Sequence, residues 1–154
     1  MADQKRILII DDNFQVALFL RTSLEIIWPN FSIVNVPSAE EGFLEMRQGV
    51  DLVIVDLKLP GMQGTEFIQR IQRTTPETPI IVITGEDDPQ LHRQVRSLNL
   101  AGFFLKPLEV DDLTAAIRRI LTGEAARPAK APDMSPDMSS KIFRRLGQLR
   151  VDTG

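Results

Sequence analysis

Four short apolar runs in this 154-residue chain end in side chains able to do chemistry. Ile7-Leu8-Ile9-Ile10 runs into Asp11-Asp12, Leu52-Val53-Ile54-Val55 into Asp56, "IIVI" into Thr84 and "GFFL" into Lys106. Three carboxylates gathered within a few ångströms repel one another, and left alone at least one of them holds a proton. A hard divalent cation removes that conflict. Mg²⁺ takes oxygen ligands in an octahedron, commonly one or two carboxylates with waters and phosphate oxygens. Asp56 could then act as a nucleophile and take up a phosphoryl group as an aspartyl phosphate. Phosphoryl transfer asks a protein mainly for positioning and counter-charge. Lys106 offers such a charge: a lysine–phosphoryl pair at about 4 Å in an effective dielectric of about 20 gains roughly 4 kcal/mol per unit charge before desolvation. Thr84 offers a hydroxyl to a phosphoryl oxygen, and Gly85 beside it keeps the approach uncrowded.

Each residue also has a plainer role. Asp11-Asp12 could cap the helix that follows and favour its positive end. Asp56 could be a turn acid before "LPGMQG", Thr84 an ordinary β-branched strand residue, and Lys106 a solvated lysine. What favours the chemical role is the shared placement, since every one of these groups closes an apolar run.

Those runs are the elements that must position the groups. They are Arg6–Ile10, Phe31–Val36, Leu52–Val55, Pro79–Thr84 and Gly102–Leu105. Three are Ile/Val-rich and uninterrupted, as strands buried on both faces are. Between them lie segments of helical period. Ala17, Leu20, Leu24 and Ile27 share one face of the first, which Trp28-Pro29 should end. Ser38 with Glu41 three residues on forms a capping box for the second. Phe67 and Ile71 anchor the third, Leu91, Val95 and Leu98 the fourth, and Leu113, Ile117, Ile120 and Leu121 the fifth, with Gly123 as its stop. The fourth face leaves His92, the only histidine, directed mostly to solvent. Strand and helix in strict alternation predict an α/β domain, a parallel sheet with helices on both faces. Sites in such sheets lie beyond the carboxyl ends of the strands, where the four groups fall.

Bulk composition narrows the function classes. The net charge of −3 provides no general attraction to nucleic acid, so no direct nucleic-acid binding is expected. Residues 1–123 hold 12 Lys+Arg against 17 Asp+Glu, net −5, and residues 124–154 hold 6 against 4, net +2. With no cysteine, disulfides, thiolate metal sites and thiol catalysis are excluded. The apolar run after "MADQKR" is too short for a signal-peptide core, and no stretch reaches bilayer length. A cytoplasmic location is the expectation.

With these residues in place, the chain over 4–122 resembles the response-regulator receiver domain of two-component signalling. The resemblance is carried by "ILIIDDN", "VIVDLKLPGMQG", "ITGEDD" and "GFFLKP", in that order. It implies a flavodoxin-like, doubly wound (βα)5 fold with strand order 2-1-3-4-5. It implies Asp56 as phosphoacceptor, with Lys106 and Thr84 completing the catalytic set. Mg²⁺ would be held by Asp12 directly, by Asp11 largely through water, by Asp56 and by the backbone carbonyl of Lys58. The Lys106–Pro107 peptide would be cis. Switching would move Thr84 toward the phosphoryl group and rotate Phe103, which stands where many relatives carry tyrosine. Lys58 and Glu86 occupy positions that tune loss of the phosphoryl group, and their opposite charges could pair over the site. The phosphodonor would be a sensor histidine kinase or a phosphotransfer protein. The chain would catalyse only its own phosphorylation and dephosphorylation.

The function expected is a phosphoacceptor switch that alters partner binding or self-association, with a phosphorelay intermediate or a constitutive docking module as alternatives. An aspartyl phosphatase on a similar sheet fits less well, because those enzymes need a second acid two residues beyond a first-strand nucleophile. The domain division expected is a receiver over 1–123, a Pro/Ala-rich linker over 124–140 and a short basic amphipathic helix over 141–154. On that tail Ile142, Leu146 and Leu149 lie to one side, and Lys141, Arg144 and Arg145 largely to the other. It could pack back on its own domain or on a dimer mate, bind an acidic partner, a membrane surface or nucleic acid through its basic side, or open an output module. A homodimer could otherwise use the face of the fourth helix, fifth strand and fifth helix.

Overall fold

A computed structural model describes residues 4–123. Five strands alternate with five helices: β1 Arg6–Ile10, α1 Phe14–Ile27, β2 Ser32–Val36, α2 Ala39–Met46, β3 Leu52–Val55, α3 Gly64–Thr74, β4 Ile80–Thr84, α4 Pro89–Arg96, β5 Gly102–Leu105 and α5 Val110–Thr122. The strands form one parallel sheet in the order β2-β1-β3-β4-β5. The expected doubly wound architecture is therefore the one found. The linker and tail helix expected over 124–154 lie outside the described residues.

The pleat sends alternate side chains into two cores. Leu8, Ile10, Val53, Val55 and Val82 face one side, where Ala39 of α2, Phe67, Ile68 and Ile71 of α3 and Val95 of α4 cover them. Ile7, Ile9, Leu52, Ile54, Ile81 and Ile83 face the other, under Ala17, Leu20 and Leu24 of α1 and Leu113, Ala116 and Ile117 of α5. Apolar side chains that are out of water on both faces gain roughly 1.5–3 kcal/mol each on burial. That is why β1, β3 and β4 read as continuous aliphatic runs.

The helix ends follow local chemistry. Asn13 caps α1 by accepting the Val16 N–H, and Ser38 caps α2 by accepting the Glu41 N–H at 3.2 Å. The Glu41 carboxylate returns to the Ser38 hydroxyl at 3.1 Å, so the capping box closes on the side chain. Gly123 ends α5 with φ of 67°, a left-handed conformation that glycine adopts without a Cβ penalty.

One expected core position is corrected. Ile27 is 37% exposed and lies outside the buried face of Ala17, Leu20 and Leu24. It is the last residue of α1, and the neighbouring Trp28, stacked on Phe31 at 5.2 Å, is the side chain that packs against the core there. Among the described residues, no helix is long and apolar enough to cross a membrane.

Candidate functional site

The site is assembled by the ladder running one residue past each strand. Asp11 N–H donates to the Val36 carbonyl at 3.1 Å, Asp56 N–H to Ile10 at 2.9 Å and Lys106 N–H to Thr84 at 2.8 Å. Each functional residue thus has its backbone fixed by the neighbouring strand while its side chain projects beyond the sheet. β1 and β3 are neighbours, so Asp11 and Asp56 come together directly. β5 is separated from β3 by β4, about 10 Å at normal strand spacing. A long side chain spans that gap. The Lys106 ammonium donates to Asp56 Oδ2 at 2.7 Å and lies 2.7 Å from Asp11 Oδ2.

Carboxylate oxygens of Asp11, Asp12 and Asp56 all lie within 4.8 Å of one another. Asp11 and Asp56 are buried, at 4% and 6% exposure, whereas Asp12 is exposed and opens the cluster to water. Asp11 Oδ1 accepts the Asn13 N–H at 2.9 Å, and Asp56 Oδ1 accepts the Lys58 N–H at 3.2 Å. One ammonium faces three carboxylates. Burial pushes the Asp11 carboxyl above its ordinary 3.8, more than the Lys106 ammonium and the Asn13 N–H draw it down, and the Asp56 charge adds to the rise. For Lys106, burial alone would favour the neutral amine. Its bonds to Asp11 and Asp56, with their charges, outweigh that and hold the ammonium above 10.5. A hard cation with oxygen preference fits this donor set, because it would offset the negative charge that Lys106 leaves over.

Thr84, the last residue of β4, is fully buried, and its Oγ1 accepts the Glu86 N–H at 3.2 Å. Phe103 is 8% exposed and packs in the core shared with α3 and α4. Lys58 and Glu86 pair at 3.4 Å, as their charges predict, and the Lys106–Pro107 peptide is cis.

Three contributors went unassigned in the sequence. Gly64 opens α3 against the backbone below Asp56, where an added Cβ would stand 2.2 Å from the Asp56 carbonyl oxygen. Its signal was the glycine closing "PGMQG". Asn13 both caps α1 and holds Asp11; an Asn directly before an apolar helical run is a cap signature. His92, expected to face solvent, is half-buried. It bonds the Glu86 carbonyl at 3.1 Å and meets Phe103 edge-on with centroids 5.3 Å apart. The sign of this lay in its spacing, since it is the i−3 neighbour of Val95 and so flanks the buried face.

Comparison with known proteins agrees with this fold. The family model described as "Response regulator receiver domain" matches residues 7–118. "Response regulator ArlR" of Staphylococcus haemolyticus is 34% identical over 118 residues, covering 75% of this chain and 52% of that protein. "Uncharacterized transcriptional regulatory protein YkoG" of Bacillus subtilis is 30% identical over 122 residues, covering 77% and 52%. The chain thus spans about half the length of these relatives. Among solved structures, a CheY-like receiver domain from Methanospirillum hungatei superposes with a TM-score of 0.73 at 25% identity, covering 79% of this chain and 97% of that one. A LuxR-family two-component response regulator from Aurantimonas gives 0.71 at 26% identity, covering 93% and 98%. This chain belongs to the response regulator receiver domain family.

Proposed function

We propose that this receiver domain is a Mg²⁺-dependent phosphoacceptor, with Asp56 as the residue that takes up the phosphoryl group. The observation that carries it is the Lys106 ammonium, 2.7 Å from both Asp11 and Asp56 and opposite an acid cluster with one exposed member. An Asp56 carboxylate oxygen attacks the phosphorus of a phosphohistidine on a kinase or phosphotransfer protein, or of a small phosphodonor. A C–O–P linkage forms as the P–N bond of phosphohistidine breaks and the imidazole leaves with the electron pair; with acetyl phosphate the P–O bond breaks and acetate leaves with the pair. Bound Mg²⁺ would be held by Asp12, Asp56, the Lys58 carbonyl and, through water, Asp11, and would neutralise charge on the phosphoryl oxygens.

The chain's own groups have separable tasks. Lys106 releases Asp56 Oδ2 and turns to a phosphoryl oxygen. Thr84, whose hydroxyl is already at the end of β4, moves its Oγ1 to another phosphoryl oxygen. Phe103 follows into the space this vacates, which changes the α4–β5–α5 face and with it partner binding or self-association. Lys58 paired with Glu86 covers the site and slows attack by water. A ligand-free population that switches from mostly one state to mostly the other needs a differential of several kcal/mol between the two.

The test is intact mass after incubation with Mg²⁺ and acetyl phosphate. The full chain gains one phosphoryl group and Asp56→Asn gains none. An equal gain in Asp56→Asn would place the acceptor elsewhere and overturn the assignment.

A further inference from the structure

Glu86 is bonded in three directions. Its N–H donates to Thr84 Oγ1, its carboxylate pairs with Lys58 at 3.4 Å, and its carbonyl is 3.1 Å from His92 Nε2. A carbonyl only accepts, so Nε2 carries the proton. His92 lies in the first turns of α4, anchored by its own N–H to the Asp88 carbonyl at 3.0 Å. Its ring stands edge-on to Phe103, centroids 5.3 Å apart and planes at 75°, a favoured aromatic geometry. A continuous line of contacts therefore runs from the Thr84 hydroxyl through the Glu86 backbone and the His92 ring to Phe103. Their strands are also hydrogen-bonded neighbours, Val82 paired with Phe103 and Thr84 with Leu105.

We infer that His92 is a positioning residue that couples Thr84 to Phe103 through the Glu86 backbone, so that hydroxyl and aromatic ring move as one unit. The inference rests on the switching role proposed above for those two residues. Its physical content is simple. When Thr84 Oγ1 turns away, the Glu86 N–H loses its acceptor and the segment from Gly85 to Asp88 relaxes. An added Cβ at Gly85 would meet nothing within 4 Å, so the chain is uncrowded on that side of Gly85. The Glu86 carbonyl takes His92 with it, and the ring edge that holds Phe103 is withdrawn. Without the imidazole, Thr84 can rearrange while Phe103 stays unaware of it. Both halves of the side chain are required: the N–H donor toward Glu86 and the ring edge toward Phe103.

The full chain, labelled with ¹³C on phenylalanine rings and threonine methyls, tests this by NMR. The Phe103 signal is assigned with Phe103→Leu. Thr84→Val removes the acceptor of the Glu86 N–H at nearly constant shape. In the His92 background it is expected to displace the Phe103 ring signal. In His92→Phe, which keeps a ring but no donor, and in His92→Gln, which keeps a donor but no ring, the displacement is expected to shrink by about threefold or more. Displacements of equal size in all three backgrounds would overturn the coupling. Two substitutions at His92 guard against one that fails to fold. A second arm adds Mg²⁺ with beryllofluoride. The Thr84 methyl and the Phe103 ring should respond together in the native chain, and Thr84 alone in the His92 variants. A Thr84 methyl indifferent to the additive in the native chain would count against the phosphoacceptor role itself, while the metal-free comparison would still decide the coupling.

Discussion

At the amino end of the sheet, Arg6 gives its backbone N–H to Asp51 Oδ2 at 2.8 Å and its guanidinium to Glu45 at 2.6 Å. Asp51 N–H returns to the Arg6 carbonyl at 2.8 Å. At the carboxyl end, one ammonium serves Asp11 and Asp56 with Asp12 close by. Both ends therefore place charge beside β1 but share it differently, and at the first the buried Arg6 Nε is left without a hydrogen-bond partner. There each carboxylate has a donor of its own and the partners are fixed by the fold. At the carboxyl end three acids gather round one ammonium, against two round Arg6, and one of the three faces water. A structural ion pair tends to satisfy its members within the chain. Leftover negative charge suits a bound cation, and pKa values displaced by burial beside a charged partner are more frequent at functional sites.

Paired substitutions at the two ends break or sharpen that contrast. The largest effect is expected from Lys106→Met, which should slow phosphoryl uptake by about 100-fold or more, the scale of losing one charge-stabilising group. Arg6→Met should leave the uptake rate within about twofold once the fold is intact, and should instead lower stability by on the order of 1–3 kcal/mol, because it strands Glu45. Uptake followed by intact mass, with urea unfolding alongside, checks both. Equal losses of uptake at the two ends would dissolve the distinction.

The next largest effect is a difference in sign. Glu45→Gln is expected to destabilise the metal-free chain by roughly 1 kcal/mol through loss of its ion pair with Arg6. Asp11→Asn is expected to stabilise it by a similar order, since removing one of the crowded carboxylates relieves more than it costs. Opposite shifts in the urea midpoint bear this out, and a lower midpoint for Asp11→Asn would contradict it.

The pH dependence sharpens the same point. Asp11 sits above its ordinary value, so the folded chain binds that proton more tightly than the unfolded one. Its contribution is full below 3.8 and is lost as pH rises through the folded value, and Asp11→Asn should remove that decline. Lys106 is raised above 10.5, so its contribution is full below 10.5 and is lost as pH rises through the higher folded value. Lys106→Met should flatten the alkaline limb. Unfolding midpoints measured across pH in the metal-free chain report both. The smallest effect is expected at the site's rim. Lys58→Ala breaks an ion pair whose lysine is 77% exposed, so stability should stay within about 0.5 kcal/mol while the lifetime of the phosphorylated chain shortens.

The architecture was legible because strands buried on both faces and helices of clean period leave few ways to wind a chain of this size. The acids, Thr84 and Lys106 were legible for a related reason. Parallel strands end on the same side, so residues that close apolar runs converge wherever the register falls. What escaped were contacts set by side-chain direction at the margins of helices. His92 flanks the Leu91–Val95 face, and only the position of the Phe103 ring shows which way it turns. Ile27 fits the apolar face of α1 by period, but the neighbouring Trp28 is the side chain that packs against the core. Gly64 stood inside the quoted "PGMQG", yet the close approach of the Asp56 carbonyl that requires it is a property of the packed α3.

The most direct measurement is phosphoryl uptake as a function of free Mg²⁺, followed by intact mass with the modified residue located by peptide mapping. One phosphoryl group on Asp56, saturating with Mg²⁺ and absent in chelator, is the predicted result. Uptake that is indifferent to Mg²⁺, or a phosphoryl group found on any other residue, would contradict the account.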